Sequence, residues 1–191
     1  MKKLMSLFVI LVTLFTLTIG CTPKETTEQE KPDATQDQTT PDASKPEPDT
    51  ATGPSYVMDE ASIQKVMGPE GSWIVIFTQD MKTDKELVLD GEFRDKDDPN
   101  GDIVRKVKLY AQDENRTKTA SYTLTAPKLT IKSENAMIEG GTFVGDVYVE
   151  ANGFTIRDAQ IQGNVYFSKE EYKTSSQVIE NSKITGTSEV K

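Results

Sequence analysis

The sequence predicts a mainly β domain built as a parallel β-solenoid. Two observations carry this. The last third of the chain repeats itself, and within each copy apolar residues alternate with polar ones over three to five positions between Gly, Asn or Asp punctuation. Phe154-Thr-Ile156-Arg-Asp-Ala159-Gln-Ile161-Gln-Gly163 matches the stretch from Gln177 to Gly186 twenty-three residues later, and each ends in Ile-x-Gly. An earlier copy runs from Leu129 through Ile131 and Ala136 to Ile138-Glu-Gly140, with two extra turn residues. A second similarity, Gly145-Asp-Val-Tyr-Val149 against Gly163-Asn-Val-Tyr-Phe167, has an offset of eighteen. The two offsets agree if one coil is about eighteen residues and a five-residue insertion falls in different corners, with the polar run Ser168 to Ser176 the expected place of the later one. Period-two strands of this length bury one face, and stacking neighbours bury what a single unit cannot.

Along the chain, Asp59 to Met67 predicts a helix. Asp59 is its N-cap, Ile63, Val66 and Met67 form its apolar stripe, and Gly68-Pro69 stops it. A solenoid exposes apolar interior and unpaired backbone at its end, so this helix is expected to serve as a lid. Trp73 to Phe77, Leu87 to Leu89 with Gly91-Glu-Phe93, Val107 to Tyr110 and Tyr122 to Leu124 read as strands.

The first residues carry a different message. Lys2 and Lys3 precede sixteen uncharged, mostly apolar residues from Leu4 to Ile19, which lead to Gly20 and the single cysteine, Cys21. This is the order of a secretory signal peptide, and the run falls short of the roughly 20 residues a spanning helix needs. Residues 1–20 are therefore expected to be removed. From residue 22 to 55 there is no aromatic, Leu, Ile, Val or Met, and eight acids face three lysines. Such a segment cannot offset its chain entropy by burial, so 21–55 is expected to be a disordered acidic leash and 56–191 the folded domain.

Leu17-Thr-Ile-Gly20-Cys21 resembles the lipobox of bacterial lipoproteins, with Thr18 where that family most often has Leu. The resemblance implies cleavage between Gly20 and Cys21, a diacylglyceryl group on Cys21, and palmitate incorporation. Two acyl chains at about 0.8 kcal/mol per buried CH₂ give stable anchoring. The expected location is the outer face of the bacterial cytoplasmic membrane.

The repeat units, the Ile-x-Gly and Gly-Asp/Asn-Val-Tyr motifs between Tyr122 and Val190, resemble the bactofilin-like, polymer-forming proteins. This resemblance implies a single-stranded right-handed parallel β-helix and a scaffold that self-associates; export departs from the mostly cytosolic pattern of those proteins.

Composition narrows the remaining chemistry. Without the signal peptide, 20 basic and 31 acidic residues leave a net charge of −11, which argues against nucleic acid and anionic headgroups as partners. The chain has no histidine, so Ser-His-Asp triads and His-ligated zinc are excluded, and no phosphate loop appears. No cofactor, catalytic residue or metal ligand is expected. The loop Asp95 to Asp102 looks superficially like a calcium loop, but Lys96 stands at the first ligand position, and Pro-Asn-Gly reads as a turn. Outward parity at Tyr148 and Tyr166 would stack two rings about 4.8 Å apart, a candidate contact for wall glycan or a plain stabilising ladder. Arg157 with Asp158, and Lys128 with Lys132, are the charged groups a polysaccharide lyase would draw on. Three functions stay open: a non-catalytic, self-assembling scaffold, a cell-wall glycan module, and a calcium-assisted lyase.

Overall fold

Alternation at period two puts every second side chain on one side of a strand, and this chain uses it to stack like on like. The computed structural model describes residues 55–191. The expected signal peptide, Cys21 and the expected leash, up to residue 54, lie outside them. β1 (Tyr56–Val57) leads into helix α1 (Glu60–Met67), followed by β2 (Ile74–Phe77), β3 (Met81–Lys82) and β4 (Leu87–Leu89). β5 (Arg105–Lys108) is separated from the long β8 (Thr123–Ile131) by a hairpin of β6 (Tyr110–Gln112) and β7 (Lys118–Ser121). β9 (Ala136–Glu139) and β10 (Thr142–Val149) come next, then β11 (Thr155–Arg157), β12 (Gln160–Gln162) and β13 (Val165–Phe167). Helix α2 (Glu170–Ser175) precedes β14 (Gln177–Ile179), β15 (Lys183–Ile184) and β16 (Ser188–Val190).

The described residues are mainly β, and the two large sheets are parallel throughout. The first runs β1-β2-β5-β9-β11-β14. In the second, β3 and β4 pair with the two halves of β8, β8 with β10, the halves of β10 with β12 and β13, and these with β15 and β16. The chain thus visits the sheets in turn, with one strand in the first and two segments in the second. The upstream strands β1 to β5 and β8 belong to the same two sheets as the repeats, whereas β6 and β7 form an antiparallel pair of their own. Gly91-Glu-Phe93 is an exception to the expected strands. Gly91 has a positive φ of 107°, and Phe93 turns its ring onto a buried arginine instead of entering a ladder.

Register turns the alternation into columns. Val75, Val107, Ile138, Ile156 and Val178 are successive partners in the first sheet. Met81, Leu124, Phe143, Ile161 and Ile184 follow one another in the second, as do Leu89, Ile131, Val149, Phe167 and Val190. Apart from the end residues these side chains are buried, each worth about 1.5–3 kcal/mol relative to exposure.

This register corrects the repeat alignment in two places. Ile138 pairs with Ile156, and Leu129 with Val147, so the earliest copy is one strand out of phase. Alternating apolar residues look alike in every strand, and Ile-x-Gly happens to close two different corners. The five-residue excess of the last repeat is also divided. Thr155 pairs with Gln177, whereas Gln160 pairs with Lys183. Four of the five extra residues therefore lie before β14, in the run that forms α2, and one falls at the Glu180-Asn181 turn.

At the N-terminal end α1 covers the stack, as its stripe predicts. The Asp59 carboxylate accepts from Ser62 N–H at 2.8 Å and the Ser62 hydroxyl closes the box on the Asp59 N–H at 3.1 Å. Ile63, Val66 and Met67 are buried against β1 and β4. The β6–β7 hairpin is held near its turn by Lys118, whose ammonium donates to Asp158 at 2.6 Å. That bond, with a second from Asn181, holds the Asp158 carboxyl below the usual aspartate range. Its stabilisation is present above the unfolded-state pKa and is lost as pH falls through the lower, folded value. Replacing Lys118 with Met is expected to shift Asp158 back towards its ordinary range in a carboxyl NMR titration and to cost under about 1 kcal/mol, because the pair is partly solvated.

Candidate functional site

Two surface features come forward from the columns: the tyrosine strip on the second sheet and the C-terminal end of the stack. Strand parity points Tyr148 and Tyr166 outward in direct register, between Thr130 on one side and Glu189 on the other. The ring centroids are 5.0 Å apart and the planes are tilted by 51°. Lys128 Nζ lies 5.4 Å from the Tyr148 ring and 2.6 Å from Glu86, whose hydrogen bond raises the Lys128 pKa. Lys191 Nζ sits 3.5 Å over the Tyr166 ring, and its pKa is raised chiefly by its hydrogen bond with the same tyrosine.

Outward parity therefore does not leave both rings open. Tyr166 is only 9% exposed, because Lys191 covers one face and Tyr148 leans on the other; Tyr148 is half-buried. A sugar needs an accessible ring face, and the tilt denies the pair a common plane. What the strip can do chemically is bind cations to its own rings, a cation–π ladder.

The charged corner is similarly self-contained. Arg157 stands between Glu139 at 3.9 Å and Glu180 at 3.5 Å, and Asp158 is taken by Lys118. Lys128 belongs to the other sheet. The Asp95–Asp102 loop closes on itself: Asp95 N–H donates to the Asp102 carbonyl at 2.9 Å, Asn100 N–H to the Asp98 carboxylate at 2.9 Å, and Arg94 to the Gly101 carbonyl at 2.8 Å. Among the described residues no group of three or more metal-ligating side chains converges, and no helix is long and apolar enough to cross a membrane.

At the C-terminal end, β14, β15 and β16 pair with β11, β12 and β13 on one edge and with no strand on the other among the described residues. Val178 is 52% exposed and Val190 37%, although both continue inward columns. Phe154, Ile156, Val165, Phe167, Val178 and Ile184 line a groove of about 190 Å³ there.

One functional residue for the fold escaped the sequence reading. Arg105 is fully buried, at the inward parity shared by Val107. Its guanidinium donates to the carbonyls of Ser72, Val66 (2.9 Å) and Gly68 (3.0 Å), and lies 4.0 Å from the Phe93 ring. Burial lowers its pKa to about 10, so it stays charged at neutral pH. The signal was available: parity from Val107 puts Arg105 inside.

Comparison with protein-family models, with curated proteins and with solved structures finds no match for the chain.

Proposed function

We propose that the chain is an exported bacterial lipoprotein, tethered by a diacylglyceryl group on Cys21, whose folded part is a single-stranded right-handed parallel β-helix acting as a non-catalytic scaffold in the cell envelope. The observation that carries the reading is the register of the inward columns, in which five successive strands of the first sheet keep Val75, Val107, Ile138, Ile156 and Val178 in line. A chain that alternates between two parallel sheets and keeps such columns makes a rod with a solid apolar interior, and parallel crossovers are right-handed in about 98% of cases. A solid interior favours a spacer or building block over a substrate-binding cavity.

The corners support the same reading. Asn164 donates from both its backbone N–H and its side chain to Asp146 at 2.9 Å, and Thr187 N–H donates to Asn164 at 3.0 Å, a polar ladder climbing one corner of three successive repeats. Glycan binding is the second reading, favoured by the half-exposed Tyr148 beside Lys128. Cosedimentation with peptidoglycan that is lost in Tyr148→Ala would favour it.

Metabolic labelling with radioactive palmitate tests the tether. The wild-type chain is expected to be labelled and Cys21→Ala to be blank. An unlabelled wild-type chain beside a labelled control lipoprotein would overturn the placement.

A further inference from the structure

Six asparagines occur in the chain, and one of them stands two residues before a hydroxyl with no proline between: Asn115, in Asp113-Glu-Asn115-Arg-Thr117. An Asn-x-Thr triplet is an acceptor for N-linked glycan when it lies on a surface loop of an exported protein. Its place in the fold meets that condition. Asp113 to Thr117 form the turn of the β6–β7 hairpin, which stands apart from the two parallel sheets, and every residue of the turn is exposed.

Four other asparagines spend their side-chain amides on the fold. Asn135 donates to the Ile103 carbonyl at 3.0 Å, Asn152 to Glu171 at 3.1 Å, Asn164 to Asp146 at 2.9 Å and Asn181 to Asp158 at 3.4 Å. Asn100 precedes Gly101-Asp102 and lacks the hydroxyl. At the hairpin the turn is shaped by other groups. Arg116 N–H donates to the Asp113 carbonyl at 3.0 Å, Asp113 N–H to the Thr117 carbonyl at 2.9 Å, and Thr117 N–H to the Asp113 carboxylate at 2.8 Å. Arg116 takes a left-handed φ of 63°, the common way to close a short hairpin loop. The Asn115 amide and the Thr117 hydroxyl are thus left unused among the described residues, held at the tip by bonds in which neither takes part.

We propose that Asn115 is an acceptor site for N-linked glycan, modified in trans by a glycosyltransferase that uses a lipid diphosphate-linked donor. The proposal rests on the export reading above, which carries the hairpin to the outer face of the membrane. In the transfer, Asn115 Nδ2 attacks the anomeric carbon of the donor sugar. The carbon–oxygen bond to the diphosphate breaks, its electron pair leaves with the diphosphate, and Nδ2 releases one proton to the transferase as the new C–N bond forms. Nothing is oxidised or reduced. An amide nitrogen is a poor nucleophile because its lone pair is delocalised onto the carbonyl, so the enzyme must grip the acceptor closely. The Thr117 hydroxyl offers it both a donor and an acceptor, and the Asp113 carboxylate fixes the Thr117 backbone near Asn115. Asn115 is exposed and outside the apolar core, so a bulky group there displaces no core contact.

The test uses the chain isolated from the membranes of the cells that make it, digested and read by mass spectrometry. The peptide containing Asn115 is expected to carry hexose or N-acetylhexosamine increments. Enzymatic release of the glycan in heavy-oxygen water should leave a labelled aspartate at that position and at none of the other five asparagines. Asn115→Gln and Thr117→Val should abolish the modification and keep the far-ultraviolet circular dichroism, whereas Thr117→Ser should retain it. A glycan that survives Thr117→Val would overturn the site. Palmitate is read on the same material. A palmitate-labelled wild-type chain with a bare Asn115 would overturn the acceptor site and leave the tether standing, and a chain with neither group would remove the export on which the site depends.

Discussion

Replacing Arg105 with Ala is expected to lower unfolding stability by about 3–5 kcal/mol in urea titrations, the largest effect of any single change to a side chain here. The substitution orphans three carbonyl oxygens, those of Val66, Gly68 and Ser72, and leaves a cavity beside Phe93. A buried acceptor without a donor costs about 1–3 kcal/mol. Arg105→Met fills the volume without supplying donors and should recover less than half of the loss. Arg105→Lys keeps the charge but cannot fork to three carbonyls, so it should resemble Met more than wild type. Hydrogen exchange should locate the damage in α1, because Val66 and Gly68 are its last turn and cap. Exchange that rises evenly over the whole domain would contradict the role of Arg105 as the pin of that helix.

Gly145→Ala is expected to be nearly as costly, about 3 kcal/mol or more, read from the same titration. Gly145 has φ +139°, a conformation that L side chains rarely adopt, and an added Cβ would strike the Ala126 carbonyl of the preceding repeat. That contact is with backbone, not with a flexible side chain that can swing away. The position marks the register break between Val144 and Asp146, where β10 bends from one half of the second sheet to the other. One repeat later, a Cβ on Gly163 would strike the Gly145 carbonyl in turn. The glycine column exists because backbone is packed directly on backbone there. By contrast, Asn152→Ala, at a half-buried side chain paired with Glu171 and Ser175, should fall within about 1 kcal/mol.

Local signals carried α1 and the later strands well. Asp59, the stripe at Ile63, Val66 and Met67, and the Gly68 stop are each readable without knowing what the helix touches. The strand class of Phe154 to Gly163 followed from period two alone. Phase did not follow from it. A period-two pattern states which side of a strand is apolar but not which sheet the strand enters, and so Leu129 to Gly140 aligned one strand early. The corners hold that information in non-local contacts, such as Gly145 against Ala126, which no short window contains. Tyr166 shows the same limit on the surface: parity turned it outward, yet Lys191, twenty-five residues on in sequence, lies across its ring. Arg105 was legible in parity, but a charged residue is rarely assigned to an interior without a visible acid, and its partners are backbone carbonyls that composition never reveals.

On the lipoprotein reading proposed above, the pull of the membrane would enter the described residues just before β1, which pairs among them only with β2, over two residues. A pull along the stack would load this outermost rung first, in the direction in which its hydrogen bonds run. Bonds loaded this way open singly, as a zipper does, instead of sharing the load as strands in shear would. Behind that rung stands the guanidinium clamp on the last turn of α1, which makes Arg105 a latch against unravelling from the N-terminal side.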